Sequence, residues 1–235
     1  MLILVDGIDG SGKSTVLAAW KKFLLAQGNP VFDLNEYWQE HGRHPELAEL
    51  KSYDFIVSAE PTRVGVGLSI RRDLINTHYS YPPRSVAQAY ALDRLVLYTR
   101  LMIPLLASGK CVLQDRGIST TLCYQPLMHA SLTAESLLEL DGNRLAMQQA
   151  PDHLVLVRTD PRVAMERLES RLEKQDNVIF ERLDFAKKAA AVFESRAFQG
   201  VFAGRGTRWH YLPGDEKIDI LQTQATTLLA SLLNS

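Results

Sequence analysis

Cysteine is scarce in this chain: Cys111 and Cys123 are the only two in 235 residues. They form no CxxC pair, so neither a zinc-ligand spacing nor a disulfide framework is present to read. Two thiols in a chain of this length suit a reducing, cytoplasmic setting. Long hydrophobic runs are missing too. Nowhere do about 18 apolar residues stand together, so no membrane span is expected. The amino terminus lacks a basic region followed by an apolar stretch and a small-residue cleavage site, and so does not read as a secretory leader. An excess of charge is also absent. Lys and Arg number 26 against 27 Asp and Glu, a formal net charge of −1. No nucleic-acid surface follows from that balance, and any anion binding must come from a local cluster. Internal repeats and low-complexity tracts are absent.

What is there is ordinary globular material, 46% hydrophobic and 23% charged, long enough to bury a full core. Short apolar runs alternate with helical patterns. Leu2–Val5, Val31–Leu34, Asp54–Ser58, Cys111–Gln114, His153–Val157 and Trp209–Leu212 read as buried strands. Lys13–Gln27, Ser85–Ser108, Thr133–Gln149, Pro161–Lys174, Phe180–Phe198 and Glu216–Leu232 read as helices. This alternation predicts an α/β three-layer sandwich with a parallel sheet flanked by helices. No linker divides the chain, so residues 1–235 are expected to form one domain. The polar stretch Asp33–Tyr53 reads as an inserted loop with one helical turn.

The chemistry starts at the first strand. Gly7-Ile8-Asp9-Gly10-Ser11-Gly12-Lys13-Ser14, followed by Thr15, fits G-x-x-x-x-G-K-[ST] at every fixed position. A strand precedes it and a helix follows, which is the context a phosphate-binding loop needs. Glycines let successive backbone N–H groups line one concavity, and the helix N-terminus adds partial positive charge. Lys13 would reach the β- and γ-phosphates of ATP, and the Ser14 hydroxyl would ligate Mg²⁺. A guanine-reading N-K-x-D is absent, which argues against a GTPase switch. A small-molecule kinase also needs a basic pocket for an anionic acceptor. Candidates are Glu60-Pro61-Thr62-Arg63 after an apolar run, Arg71, the helical Tyr90 to Arg94, and Asp115-Arg116 after another run. Strand carboxyl ends are where open α/β sheets bind ligands, and guanidinium forks grip phosphomonoesters bidentately. Asp115 sits where a strand-end carboxylate would steady Mg²⁺.

In this order the blocks resemble the thymidylate kinase family. The family's G-x-D-G-x-G-K-[ST] stands as Gly7 to Ser14. Its E-P block with G-x-x-I-R is Glu60-Pro61, Gly67, Ile70 and Arg71. Its aromatic-x-x-x-Arg helix is Tyr90 to Arg94, and its D-R block running to [FY]-Q is Asp115-Arg116 to Tyr124-Gln125. Phe180 to Phe185 resembles the segment after the family's mobile lid. The resemblance implies a P-loop kinase that phosphorylates dTMP with ATP and Mg²⁺. It places Asp9 on the deoxyribose 3′-hydroxyl, and Arg63, Arg71 and Arg116 on the acceptor phosphate. Tyr90 would stack on thymine, and Arg94 would donate to a thymine carbonyl. Thr120 and Thr121 would lie near the base, with Tyr124 beneath the sugar, crowding a 2′-hydroxyl. Lys13 and Arg116 would offset the repulsion between two anions.

The departures are specific. Gly117 stands where the family usually has Tyr, His or Phe, and Thr62-Arg63-Val64 where it usually has G-G-T. The Asp33–Tyr53 stretch is longer than most members carry. Gly10 and Ser11 occupy the phosphate loop where some members carry an arginine, so the missing charge is expected from the lid, about residues 162–182. Arg171 is the first candidate for catalysis and Arg167 the second, since i and i+4 share a helical face; Arg182 follows. Leu172 after Arg171 breaks the family's R-G-x-x-D-R. The family is usually homodimeric, and the long Ser85–Ser108 helix is the expected contact surface. Two alternatives stay open: a related kinase with another acceptor, such as dUMP or a deoxynucleoside served by Glu60 as base, or a non-catalytic nucleotide-binding regulator.

Overall fold

The computed structural model describes residues 1–75, 78–170 and 183–234. Its centre is a six-stranded sheet of order β2-β3-β4-β1-β5-β6. The strands are β1 (Leu2–Asp6), β2 (Val31–Asp33), β3 (Phe55–Ala59), β4 (Cys111–Asp115), β5 (His153–Arg158) and β6 (Arg208–Pro213). Every neighbouring pair is parallel. Successive strand residues point to opposite faces, and both faces are covered. Ile3, Val5, Leu113, Val155 and Val157 pack with α1 (Lys13–Ala26) and α12 (Ile218–Leu233). Leu2, Leu4, Val112, Leu154 and Leu156 join the core on the other face. That core is closed by α2 (Leu34–His41), α4 (Pro83–Leu97), α6 (Ile118–Met128), α8 (Asp141–Gln148), α10 (Leu183–Glu194) and α11 (Arg196–Ala203). Double burial is why the four central strands read as unbroken apolar runs. The expected fold class is the observed one.

The helices depart from expectation in instructive places. Ser85–Ser108 does run as one helical rod. It passes from α4 through a π turn, Tyr98–Met102, into α5 (Ile103–Ala107). Pro104 lacks an N–H, and its ring crowds the carbonyl four residues back, which opens the turn there. Thr133–Gln149 is two helices, α7 (Ala134–Leu138) and α8. Of the expected Phe180–Phe198 helix, residues 180–182 lie outside the described residues, and the rest divides into α10 and α11 where Ser195 caps the second. The region 33–53, expected as a loop, carries the eight-residue α2 and the short 3₁₀ turn Leu47–Leu50. Tertiary contact explains it. Leu34, Trp38 and Leu50 are buried in the core, and the Trp38 indole donates to His44 Nδ1 at 3.1 Å. Helix α6 was not expected at all. Most of its residues are buried, so it has no amphipathic period, and Pro126 lies inside it.

Chain direction sets the site. β1 feeds α1 on one face, while the neighbouring β4 feeds α6 on the other. A crevice opens above such a switch, at the carboxyl ends of the strands.

Candidate active site

A cavity of about 1050 Å³ occupies that crevice. The phosphate loop forms one wall. Gly7, Gly10 and Gly12 have φ of 145°, 78° and 104°. At Gly10 a Cβ would lie 2.3 Å from the Ala164 carbonyl oxygen, so the loop rests directly on α9 (Pro161–Glu169). A side chain, an arginine included, has no room there. Ser11 is fully buried behind the loop, and its carbonyl accepts from Thr159 Oγ1 at 3.1 Å. Lys13 Nζ donates to the Gly7 and Ile8 carbonyls at 3.0 and 2.7 Å. Burial, reinforced by the Arg116 charge, pushes its pKa down to about 8. Ser14 lines the cavity at the mouth of α1, as do Asp9 and Gly12.

Arg116 stands between the two walls. Its backbone has a φ of 62°, the left-handed region, where a non-glycine residue is held by its surroundings. Its N–H donates to Val5 O at 2.9 Å. Its guanidinium pairs with Asp9, faces Asp6 at 3.9 Å and lies over the Tyr124 ring at 5.5 Å. Asp115, one residue earlier, has a buried Oδ1 with no hydrogen-bond partner among the described residues. With the Ser14 hydroxyl, which lines the same cavity, it makes a hard-oxygen donor set that suits Mg²⁺, which takes few protein ligands and fills the rest with phosphate and water.

The other wall is built from side chains. Arg63, Arg71 and Arg116 line it together. Arg71 donates to the Pro61 and Thr62 carbonyls. Burial and the Arg63 charge lower its pKa to about 10. Such crowding of cations is what a phosphate dianion would relieve. Tyr90 also lines the cavity, and burial raises its phenol to about 12. Arg94 is only 1% exposed. It donates to Glu60 Oε2 at 2.7 Å, to Thr121 Oγ1 at 3.0 Å and to Asn143 Oδ1. Glu60 in turn accepts from Gln114 Nε2 at 2.9 Å, and burial raises its pKa. Thr120, Thr121 and Tyr124 reach the cavity from α6. Tyr124 packs edge-on to Phe185 at 5.0 Å.

Arg171 and Arg182 lie outside the described residues. Arg167 donates to the Gly214 carbonyl at 2.6 Å, in the turn before α12, while the next residue, Leu168, faces the cavity. Two buried carboxylates in the site had no assigned role. Asp6 accepts from Gly7 N at 2.8 Å, from Thr120 Oγ1 and from Ser119 Oγ, and burial raises its pKa. It ties the phosphate loop to the start of α6. Asp93 accepts from Thr62 N and Oγ1, both at 2.7 Å, and so fixes the loop that carries Arg63. The sequence signal for Asp6 was an acid closing an apolar run, and Asp93 stood in the Tyr90–Arg94 block without a role.

The same chemistry appears in known proteins. The family model for thymidylate kinase matches residues 46–224. The chain belongs to the thymidylate kinase family. The match starts after the phosphate loop, but full-length similarity includes it. A thymidylate kinase of Clavibacter michiganensis subsp. michiganensis is 27% identical over 98% of this chain and 97% of its own length. Those of Tropheryma whipplei and Exiguobacterium sp. are 29% and 31% identical, over 82% and 78% of this chain and 79% and 77% of theirs. Thymidylate kinases are nucleoside monophosphate kinases, and Arg63, Arg71, Tyr90, Arg94 and Arg116 all lie within the matched residues.

Proposed function

We propose that the protein transfers the γ-phosphoryl group of ATP to dTMP, giving dTDP and ADP. The observation that carries this reading is one cavity with a phosphate loop on one wall and Arg63, Arg71 and Arg116 on the other. Two phosphates would meet between them. Transfer through a loose transition state needs alignment and positive charge more than covalent chemistry. Lys13 would shift from the loop carbonyls to the triphosphate. Arg116 would bridge acceptor and transferred phosphate, while Arg63 and Arg71 fix the acceptor. Asp9 would turn to the 3′-hydroxyl. Ser14 and Asp115 would hold Mg²⁺, which offsets charge on the phosphoryl oxygens when bound. Tyr90, Arg94, Thr120 and Thr121 would surround the base, with Tyr124 against the sugar.

The remaining transition-state charge would come from Arg171 in the lid. Arg167 is the second choice and must first leave Gly214. A nucleoside kinase would need Glu60 as base, but Glu60 is held by Arg94 and Gln114. An acceptor already phosphorylated needs no such base. We place the enzyme in the cytoplasm as a single catalytic domain with a lid at 162–182. It would act as a homodimer through the α4–α5 rod, where Leu92 is exposed. No described helix is long and apolar enough to cross a membrane. The direct test is incubation with ATP, Mg²⁺ and dTMP and chromatographic separation of products. Stoichiometric dTDP and ADP are expected; ATP consumption without dTDP would overturn the reading.

A further inference from the structure

The base-facing arginine is nearly saturated before any ligand arrives. A guanidinium has five N–H donors and no acceptor. In Arg94, Nε–H goes to Glu60 Oε2 at 2.7 Å. Nη2 donates to Thr121 Oγ1 at 3.0 Å and pairs ionically with Glu60 Oε2 at 2.5 Å, so both of its sides face a partner. One N–H of Nη1 goes to Asn143 Oδ1. The second N–H of Nη1 has no acceptor among the described residues, and Arg94 lines the cavity. Arg94 therefore offers one hydrogen bond to one acceptor atom, not the two-point grip that its type gives a phosphate.

What selects that donor is Asn143. Its amide cannot flip without loss, because Nδ2 donates to the Leu137 carbonyl at 2.8 Å. Only Oδ1 can then face Arg94. Asn143 is fully buried. It reaches Arg94 because α8 lies directly on α4: a Cβ on Gly142 would be 1.8 Å from the Ala91 carbonyl oxygen. Glu60 and Thr121 hold Nε and Nη2 but leave Nη1 untouched. Without Asn143 both Nη1 donors are free, and the guanidinium can present either edge.

We propose that Asn143 is a positioning residue for base discrimination: it occupies one Nη1 donor of Arg94 so that the other meets a single carbonyl oxygen on the acceptor base. This rests on the dTMP kinase reading above. A pyrimidine with a carbonyl at C4 satisfies the donor. One with an amino group there places donor against donor, and a site built around a buried hydrogen bond rejects such a mismatch strongly.

The test compares dTMP with dCMP in wild-type, Asn143→Ala and Asn143→Asp proteins, with folding checked by thermal melting. In Asn143→Ala, kcat/KM for dTMP over dCMP should fall about tenfold or more, through KM for dTMP, with KM for ATP unchanged. Asn143→Asp keeps an acceptor on Arg94 and should retain most of the ratio. A purely structural asparagine would lower melting temperature in both variants without moving the ratio. A folded Asn143→Ala protein with the wild-type ratio overturns the proposal. If that variant does not fold, Asn143→Ser decides by the same ratio, since its shorter hydroxyl falls short of Arg94. Wild-type enzyme that makes no dTDP would instead defeat the underlying functional reading, so the two failures are separate.

Discussion

The two walls of the cavity are made in opposite ways. The phosphate loop is one contiguous stretch whose working groups are mostly backbone. Its glycines lie against Val157 and Ala164 with no room for a side chain. The acceptor wall is assembled from β3, α4, β4, α6 and α8, and its working groups are side chains in one buried network. A contiguous backbone site can be recognised in a sequence and tolerates change poorly at its glycines. A dispersed side-chain site leaves only scattered signals, and its specificity depends on residues that never touch the ligand. Substitutions on the first wall should therefore damage phosphoryl transfer itself, and those on the second should alter which acceptor is taken.

The largest effect is expected at Lys13. Lys13→Ala removes the charge proposed to meet the triphosphate, and turnover should fall by about 10³ or more, with a melting curve close to wild type. Near-normal turnover would dissolve the contrast, because this wall would not be the catalytic one.

On the acceptor side, Asp93→Ala strips two hydrogen bonds from buried Thr62. Each buried group left unsatisfied costs about 1–3 kcal/mol, and the Arg63 loop should loosen. KM for dTMP should rise about tenfold or more, while KM for ATP stays within about twofold. Steady-state titration of each substrate checks this; equal losses for both would mean the walls are not separable.

The first wall also carries a pH signature. Lys13 has a pKa of about 8 against an ordinary 10.5. Only the protonated lysine favours the triphosphate, so ATP affinity should be flat below pH 8 and weaken about tenfold per unit above it. The ligand-free fold has the opposite sign. Between pH 8 and 10.5 the unfolded chain binds this proton more tightly, so Lys13 adds stability as pH rises through that window. Calorimetric titration of ATP at pH 7, 8 and 9 checks the affinity, and a flat profile would contradict it.

The smallest effect is expected at Tyr124, which is packed against Phe185 and Phe193. Tyr124→Ala should narrow the preference for dTMP over its ribose analogue by about threefold and cost about 3 kcal/mol of stability. An unchanged ratio in the folded variant would assign Tyr124 to packing alone.

The same contrast explains what the sequence disclosed. The four central strands were visible as runs because both of their faces are buried, and the phosphate loop was visible because its residues are adjacent. Helix α6 was hidden by the very burial that makes it useful. Its inward residues carry Thr121 and Tyr124, yet its other sides are apolar too. Helix α2 was hidden because its stability comes from Trp38 and Leu34 entering a distant core, not from local pattern. Arg94 stood out by resemblance, but the partners that hold it lie 34, 27 and 49 residues away. No local signal marks such contacts. Asp6, Asp93 and Asn143 were missed for the same reason.

Both walls meet in one experiment: kcat/KM with ATP for dTMP, dCMP, dAMP and dGMP under identical Mg²⁺. If Tyr90 and the Arg94 donor meet the base as proposed, dTMP should be favoured over each of the others. A preference for a purine monophosphate would contradict that assignment of the acceptor wall.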